Sequence, residues 1–351
     1  MLFSPLQVGA FTLPNRILMA PLTRARASEG HLPNEMMAEY YAQRASAGLI
    51  VTECTMISAG TSAFASEPGI YNTEQIEAWK KVTAAVHAKG GQIFLQIWHA
   101  GRAAHPAFNQ GAQTVSSSGV GLSGEVHTAE GKVAHVAPRE LRSDEIPALV
   151  QAFAEAAKNA RAAGFDGVEV HGANGYLIDQ FLRDSANQRS DAYGGSLENR
   201  ARFLFEVLTA VCAAIGSERV GLRLSPLNSY NDMKDSDPLA LIAFLAERLN
   251  DFKLAYLHLM RADFFQAQTG DVVTPARAHY KGVLIGNMGY SGAEAEQAIS
   301  EGKLDAVAFG TAFLANPDLP ARLKAAAPLN APDSSTFYTP GPKGYTDYPS
   351  M

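Results

Sequence analysis

Three side chains able to hydrogen-bond or to transfer a proton stand close together in the segment HGANGY, directly after an apolar run. His171 and Asn174 are three positions apart, so both can point to the same side of a helical turn and donate two hydrogen bonds to one oxygen. Donors fixed in this way stabilise an oxygen that gains negative charge during a reaction. Tyr176 adds a phenol, with an ordinary pKa of about 10, that can supply a proton. The alternative is a structural turn whose His and Asn satisfy buried backbone groups.

An arginine closes the next apolar run. Arg223 lies in RVGLRLSP, where its neighbours predict that it is buried. A buried guanidinium requires an anion or an acidic partner. Two interpretations stay open: Arg223 pairs with a carboxylate, or it faces the pyrimidine edge of a flavin, where its charge stabilises the reduced, anionic ring.

Glycines mark the ends of the last two apolar runs, in Gly286-Asn-Met-Gly289 and Phe309-Gly310-Thr311. If these runs are the final strands of a barrel, the segments stand where backbone N–H groups commonly hold a phosphate. Glycines at strand ends are also ordinary turn formers, so the segments alone do not decide between the two interpretations.

The spacing of apolar residues predicts the elements that must position these side chains. Helical spacing begins at Ser143 and ends before Gly164, and a second helical stripe runs from Leu197 to Gly216. Further helices are predicted at residues 36–46 and 74–89, and a capping box formed by Ser291 and Glu294 opens another. The strand-like runs between them read NRILMA, GLIVTECTMI, GQIFLQIW, GVEV, RVGLRLSP, LAYLHLM, GVLIG and LDAVAFG.

Eight strands that alternate with helices, each apolar on both faces, are typical of a parallel sheet covered by helices. The prediction is an α/β protein, a single (β/α)8 TIM barrel that occupies residues 1–351. Residues 109–138, rich in Gly, Ser and His, are predicted to be an inserted loop or hairpin over the barrel, and residues 330–351 a C-terminal tail. In such a barrel the functional site lies at the carboxyl ends of the strands.

Other chemistry finds less support in the sequence. The segment from Gly119 to Gly124 matches the dinucleotide fingerprint G-x-G-x-x-G, but serines precede it and EVHTAEGK follows, without the strand and helix that the fingerprint needs. The histidines have no metal-ligand spacing such as H-E-x-x-H, so no metal is predicted. Cys212 lies on a helical stripe and is interpreted as packing, whereas Cys54, at a strand end, can face a cofactor.

Composition limits the class of partner. Of the 351 residues, 47% are apolar and 18% charged, and the formal net charge is -6, which excludes a mainly disordered chain. A sequence pI of about 5.9 gives no electrostatic footprint for nucleic acid or an anionic membrane, so small-molecule partners are expected. Two cysteines, no secretion signal and no long apolar stretch predict a reducing, cytoplasmic location.

Longer motifs resemble the Old Yellow Enzyme family of FMN-dependent ene-reductases, in its classical branch, over nearly the whole chain. They occur in the same order and read PLTRARA, YYAQRASAGLIVTE, LQIWHAGR, HGANGYLIDQFLRDSANQRSDAYGGSLENRARF, VAFGTAFLANPDL and GYTDYP. The resemblance implies a barrel that binds FMN non-covalently, takes a hydride from NADPH or NADH, and reduces activated C=C bonds of α,β-unsaturated carbonyls and nitroalkenes. Substrate and nicotinamide nucleotide alternate in one site, so no Rossmann domain is needed.

The resemblance also implies roles for individual residues. His171 and Asn174 bind the substrate oxygen, hydride passes from flavin N5 to the β-carbon, and Tyr176 protonates the α-carbon from the opposite face. The positions implied to contact FMN are Pro21, Leu22, Thr23, Cys54, Gln96, Arg223, Met288, Gly289, Gly310 and Thr311. The positions implied to line the substrate pocket, besides the catalytic three, are Trp98, Phe337 and Tyr338.

Three positions depart from the family pattern. Thr311 stands where an arginine usually clamps the FMN phosphate, so weaker FMN retention is expected. Met288 replaces a common glycine and is expected to shift the phosphate loop, and Cys54 replaces Ala or Gly and is expected to tune the redox potential. The alternatives are a nitro-ester or nitroaromatic reductase on the same barrel, and a non-catalytic flavin-binding protein. The sequence leaves open the physiological alkene and whether the protein is a monomer or a homodimer.

Overall fold

The computed structural model describes residues 1–128 and 131–351, and in these residues eight parallel strands close into a barrel. The strands are β1 Ile17–Met19, β2 Leu49–Val51, β3 Ile93–Trp98, β4 Gly167–Gly172, β5 Val220–Leu224, β6 Tyr256–Met260, β7 Leu284–Asn287 and β8 Ala306–Phe309. Each strand pairs with the next, and the ring closes where Phe309 of β8 lies opposite Met19 of β1. The predicted (β/α)8 barrel is confirmed.

Helices surround the strands and follow the predicted apolar stripes. They are α1 Glu35–Gln43, α2 Thr73–His87, α3 Ile146–Ala162, α4 Leu177–Leu182, α5 Leu197–Ile215, α6 Pro238–Leu249, α7 Val273–His279, α8 Gly292–Ser300, α9 Thr311–Ala315 and α10 Leu319–Ala325. The two predicted glycine stops are confirmed, since Gly164 and Gly216 have φ of 90° and 88°, a left-handed backbone that favours glycine. The capping box of α8 is confirmed as well.

Short elements fill the connections. A hairpin of Leu6–Val8 and Phe11–Leu13 precedes β1, and Thr55–Met56 extends the sheet beside β3. Single 3-10 turns occur at Glu29–His31, Gly101–Ala103, Pro106–Phe108, Ser217–Arg219, Asn250–Phe252 and Ser334–Thr336. None of the helices in the described part of the chain is both long and apolar enough to cross a bilayer.

The predicted insertion lies between β3 and α3. Its strands Glu125–Thr128 and Gly131–Ala134 form an antiparallel hairpin, and a short parallel pair joins Val115–Ser116 to Arg139–Glu140. Residues 129–130 of the insertion lie outside the described residues. The glycines of the G-x-G-x-x-G match lead into a strand instead of a helix, so the rejection of the dinucleotide fingerprint is confirmed.

Buried arginines hold the C-terminal tail across the mouth of the barrel. Arg24 Nη2 donates to the carbonyl of Gly344 at 2.6 Å, and Arg26 Nη1 donates to the carbonyl of Phe337 at 3.0 Å. The ring of Tyr345, fully buried, stacks on Tyr40 with 4.0 Å between centroids. Residues 336–345, anchored in this way, are called the tail clamp below. The clamp fixes the tail beside the strand ends, where the candidate site lies.

Candidate active site

A cavity of about 420 Å³ opens at the carboxyl ends of the barrel strands, a volume in the range of small-molecule sites. All ten positions implied to contact FMN line it: Pro21, Leu22, Thr23, Cys54, Gln96, Arg223, Met288, Gly289, Gly310 and Thr311. The tail clamp contributes Phe337 and Tyr338 to the same wall. The structure therefore brings together in one cavity positions that span residues 21 to 338.

His171 lies near the end of β4 with one ring nitrogen already engaged. Its Nδ1 accepts a hydrogen bond from the backbone N–H of Ala173 at 3.2 Å, so the ring proton belongs on Nε2. Burial lowers the pKa of His171 to about 3, and the positive charge of Arg223 acts in the same direction. The imidazole is therefore neutral near pH 7, and its Nε2–H is a hydrogen-bond donor for the cavity.

Asn174 also faces the cavity, but not from a helical turn as predicted. Strand β4 ends at Gly172 and α4 begins only at Leu177, so the connecting residues form a tight turn in which Asn174 has φ of 56°. Gly175 follows with φ of 71°, and a Cβ there would lie 2.7 Å from the carbonyl oxygen of Tyr230. Two consecutive left-handed residues are incompatible with a right-handed helical turn, which is the physical reason for the difference.

Hydrogen bonds fix the orientation of the Asn174 amide. Asn228 Nδ2 donates to Asn174 Oδ1 at 2.8 Å, and the Asn174 backbone N–H donates to Ser225 Oγ at 2.7 Å. Because Oδ1 is taken by Asn228, the amide must present its Nδ2–H groups in the other direction. Asn174 and His171 thus supply two N–H donors to one cavity, the arrangement that suits an oxygen carrying partial negative charge.

Tyr176 stands directly after this turn, with 6% of its surface exposed. Its ring packs edge-on against Trp98 and against His171, each with 5.1 Å between centroids. Burial, together with the neighbouring Tyr230, raises the pKa of Tyr176 well above its ordinary value. The phenol is therefore protonated at neutral pH, as a proton donor must be.

Trp98 differs in position from the other predicted pocket residues. It is fully buried and lies behind Tyr176 instead of in the cavity wall. Its ring supports the phenol that lines the cavity, so its contribution is to hold Tyr176 in place.

Arg223 brings a positive charge into the cavity that no described carboxylate neutralises by direct contact. Its Nη2 donates to Asn287 Oδ1 at 2.7 Å, and its Nε, also buried, has no partner among the described residues. Burial lowers the pKa of Arg223, while Glu169 acts against this shift. Of the two interpretations of Arg223, the geometry favours one in which a bound group with acceptor atoms completes its hydrogen bonds.

Glu169, buried inside the barrel, orients Gln96. The carboxylate accepts hydrogen bonds from Gln96 Nε2 at 2.8 Å, Tyr256 Oη at 3.0 Å and His258 Nδ1 at 2.9 Å. Burial acts to raise the pKa of Glu169, but His258, Arg223 and the hydrogen bonds lower it below the usual value. With Nε2 held by an ionised carboxylate, Gln96 presents Oε1 to the cavity as an acceptor beside the Arg223 donor.

Cys54 and Thr23 form a polar pair in the cavity wall. The Cys54 Sγ and Thr23 Oγ1 atoms are 3.2 Å apart, a hydrogen bond in which either can donate. Burial raises the pKa of Cys54, so its side chain is a neutral thiol. The Thr23 hydroxyl keeps a second hydrogen bond for a molecule in the cavity.

Several residues in or next to the cavity were not singled out in the sequence analysis. Asn287 is the last residue of β7, so its strand-end position was a usable signal. Asn228, which orients Asn174 without lining the cavity, gave no signal because its partner is 54 positions away in the chain. The aromatic residues of the rim come from loops whose course the sequence does not show: Phe64, Tyr230, Phe264 and Phe265.

Comparisons with known proteins agree on one family. The family model described as NADH:flavin oxidoreductase / NADH oxidase matches residues 1–330. A protein of Leishmania infantum described as a probable flavin mononucleotide-dependent alkene reductase is 52% identical, over 100% of this chain and 97% of its own length.

Solved structures give the same result. The old yellow enzyme from Trypanosoma cruzi is 45% identical, with a TM-score of 0.97 and coverage of 100% of this chain and 98% of that chain. Morphinone reductase in complex with tetrahydroNAD is 44% identical, with a TM-score of 0.95 and coverage of 100% and 97%. The chain belongs to the NADH:flavin oxidoreductase / NADH oxidase family, and within it to the Old Yellow Enzyme group of FMN-dependent, NAD(P)H-oxidising ene-reductases.

Proposed function

We propose that the cavity is the active site in which this ene-reductase reduces activated C=C bonds, with His171, Asn174 and Tyr176 as its catalytic residues. The observation that carries the proposal is the convergence of two N–H donors and a protonated phenol on one cavity that also holds the incompletely bonded Arg223. Substrates of this class carry a carbonyl or nitro oxygen next to the C=C bond, and that oxygen gains negative charge when the bond accepts a hydride.

The residues of the cavity fit FMN. The Arg223 guanidinium supplies buried donor groups and Gln96 an acceptor, side by side, which matches the alternating acceptors and donor of a flavin pyrimidine ring. Pro21, Leu22 and Thr23 are proposed to lie along the ring, and the glycine-containing ends of β7 and β8 at the phosphate. Bound there, FMN supplies the hydride-transfer chemistry, taking a hydride from NAD(P)H and passing it to the alkene.

His171 and Asn174 are proposed to bind the substrate oxygen. The Nε2–H of a neutral imidazole and the Nδ2–H of the amide donate to it, and the contacts of their other polar atoms keep both groups in this orientation. Each pre-oriented donor of this kind contributes a factor of about 10² to 10³ in rate when charge develops on the oxygen. The pair polarises the C=C bond and holds its β-carbon at a fixed place in the cavity.

Tyr176 is proposed to donate the proton that completes the reduction. Its raised pKa keeps the proton on Oη until a carbon with carbanion character accepts it. The packing against Trp98 and His171 fixes the ring next to the groups that hold the substrate oxygen, so the proton is delivered to a defined face.

The nicotinamide nucleotide is proposed to use the same cavity as the alkene. Morphinone reductase, similar over nearly its whole length, was solved with tetrahydroNAD. An amide oxygen on a nicotinamide ring has the same hydrogen-bonding needs as an enone oxygen, so the His171 and Asn174 donors serve both. The two molecules must then bind in turn.

Tyr176→Phe tests the proton-donor assignment. The substitution removes one oxygen and keeps the ring, so the fold and the donor pair stay in place. In stopped-flow absorbance measurements on the FMN-loaded protein, we expect NADPH to reduce the flavin at nearly the wild-type rate. Reoxidation of the flavin by 2-cyclohexenone is expected to be slowed about 10²- to 10⁴-fold. Equal rates for the variant and the wild type in the enone reaction would refute the assignment.

We further infer a single FMN-binding domain, because the first strand end and the tail clamp contribute to one cavity. The cytoplasmic location stays a prediction from the sequence, and the choice between monomer and homodimer stays open.

A further inference from the structure

Arg261 binds the loop that follows β7 through hydrogen bonds to its backbone. The residue stands directly after β6, and its Nε donates to the carbonyl of Met288 and its Nη2 to the carbonyl of Gly289, each at 2.9 Å. The guanidinium also lies 3.6 Å from the ring centroid of Tyr290. One side chain thus contacts three consecutive residues of the loop.

The loop separates Arg261 from the active-site cavity. Met288 and Gly289 line that cavity, whereas Arg261 lines a different groove, together with Tyr290 and Glu294. A trans peptide unit points its N–H away from its carbonyl. Since Arg261 holds the carbonyls of residues 288 and 289 on the groove side, the N–H groups of the same two peptide units, those of residues 289 and 290, point away from the groove.

The backbone of this loop needs such a restraint. Met288 and Gly289 have φ of 86° and 69°, two consecutive residues in the left-handed region, which suits the glycine and not the methionine. Arg261 Nη2 also lies 3.3 Å from Glu294 Oε1, and Glu294 belongs to the capping box of α8. The guanidinium therefore ties the loop to the first turn of a helix.

We propose that Arg261 is a positioning residue that shapes the Met288–Gly289 loop into a receptor for a phosphate ester, the dianionic end of FMN. Consecutive backbone N–H groups that face one point bind such an anion. The inference rests on the proposed FMN site, and it assigns the positioning of the phosphate-binding loop to a residue that neither lines the cavity nor touches the cofactor. Thr311, at the end of β8, supplies no charge there.

Comparing FMN with riboflavin isolates this effect, because riboflavin has the same ring system without the phosphate. Apoprotein is titrated with each compound and the quenching of flavin fluorescence gives both Kd values. In Arg261→Ala the preference for FMN over riboflavin is expected to fall about tenfold, equivalent to about 1.4 kcal/mol, with the riboflavin Kd unchanged. Arg261→Lys is expected to lose a similar part of the preference, because one ammonium group cannot reproduce the fork that bonds two carbonyls.

A matched control lies at the other end of the same strand. Arg277 Nη2 donates to the carbonyl of Gly282, ahead of β7, at 3.1 Å, so Arg277→Ala removes a similar backbone brace far from the cavity. This control is expected to lower Tm without changing the FMN preference. Equal weakening of FMN and riboflavin in Arg261→Ala, or an unchanged FMN Kd, would overturn the inference while leaving the proposed function intact. Wild-type protein that binds neither flavin would overturn both.

Discussion

Reversing the amide of Asn174 tests whether its N–H groups bind the substrate oxygen. Asn228 Nδ2 donates to Asn174 Oδ1 at 2.8 Å, and the Asn228 Oδ1 accepts from the backbone N–H of Phe264 at 3.2 Å. In Asn228→Asp the hydrogen bond from the Phe264 N–H is kept, because a carboxylate oxygen also accepts a hydrogen bond. The hydrogen bond to Asn174 is inverted, because the new carboxylate accepts from Asn174 Nδ2. The Oδ1 of Asn174 then turns toward the cavity.

The expected loss follows from the number of donors. His171 and Asn174 supply two donors, and removing one donor from an oxyanion site typically costs about 10²- to 10³-fold in rate. Asn228→Asp is therefore expected to slow enone reduction at least about 100-fold. Asn228→Ala releases the amide without reversing it, which removes one neutral hydrogen bond of about 0.5–1.5 kcal/mol and slows the reaction only about 2- to 10-fold.

The assay follows flavin absorbance after protein reduced with dithionite is mixed with 2-cyclohexenone in a stopped-flow instrument, so that nicotinamide binding does not enter the rate. The FMN Kd and the flavin midpoint potential of each variant show whether the added charge acts on the cofactor instead. The two-donor model would be refuted if Asn228→Asp oxidised its flavin at a rate within threefold of the wild type. It would also be refuted if Asn228→Ala reacted more slowly than Asn228→Asp.

Three further predictions concern single positions. Burial raises the pKa of Glu53 from its ordinary value near 4.5 to about 7. The contribution of this carboxyl to folding stability is therefore fully present below about pH 4.5 and is lost as the pH rises through 7. Glu53→Gln should not suffer this loss, worth about 3 kcal/mol, so in denaturant titrations it should gain stability relative to wild type between pH 5 and pH 8. Thr311→Arg should tighten the FMN Kd at least about tenfold through a charge-assisted contact, and an unchanged Kd would contradict the expectation of weak FMN retention. Cys54→Ala should shift the flavin midpoint potential, measured by dye-equilibrated reduction, whereas an identical potential would remove the thiol from that role.

Local patterns predicted the barrel well because each signal is complete within one segment. The left-handed glycines that stop α3 and α5, and the Ser291–Glu294 capping box, depend on residues within a few positions of each other. The alternation of apolar runs with helices was also sufficient for the closed sheet, since parallel strands need such crossovers.

The site was predictable only in part. Strand-end residues such as His171 and Arg223 were found because a barrel gathers all strand ends at one face. The direction in which each polar group faces depends on partners that lie far away in sequence: Asn228 for Asn174, and Glu169 for Gln96. The left-handed turn at Asn174 escaped prediction because the spacing alone is equally compatible with a helical turn.

The tail clamp has a consequence for how the protein is made. The cavity wall includes residues 21–24 from the first strand end and residues 337–338 from the tail, and Arg24 and Arg26 join the two through carbonyls of residues 336–344. The last barrel strand ends at Phe309, so every barrel strand is synthesised before the residues that close the site. A flavin that arrives before the tail has packed meets a cavity without one wall, so the hydrogen bonds of Arg24 and Arg26 make completion of the site depend on the last part of the barrel chain to fold.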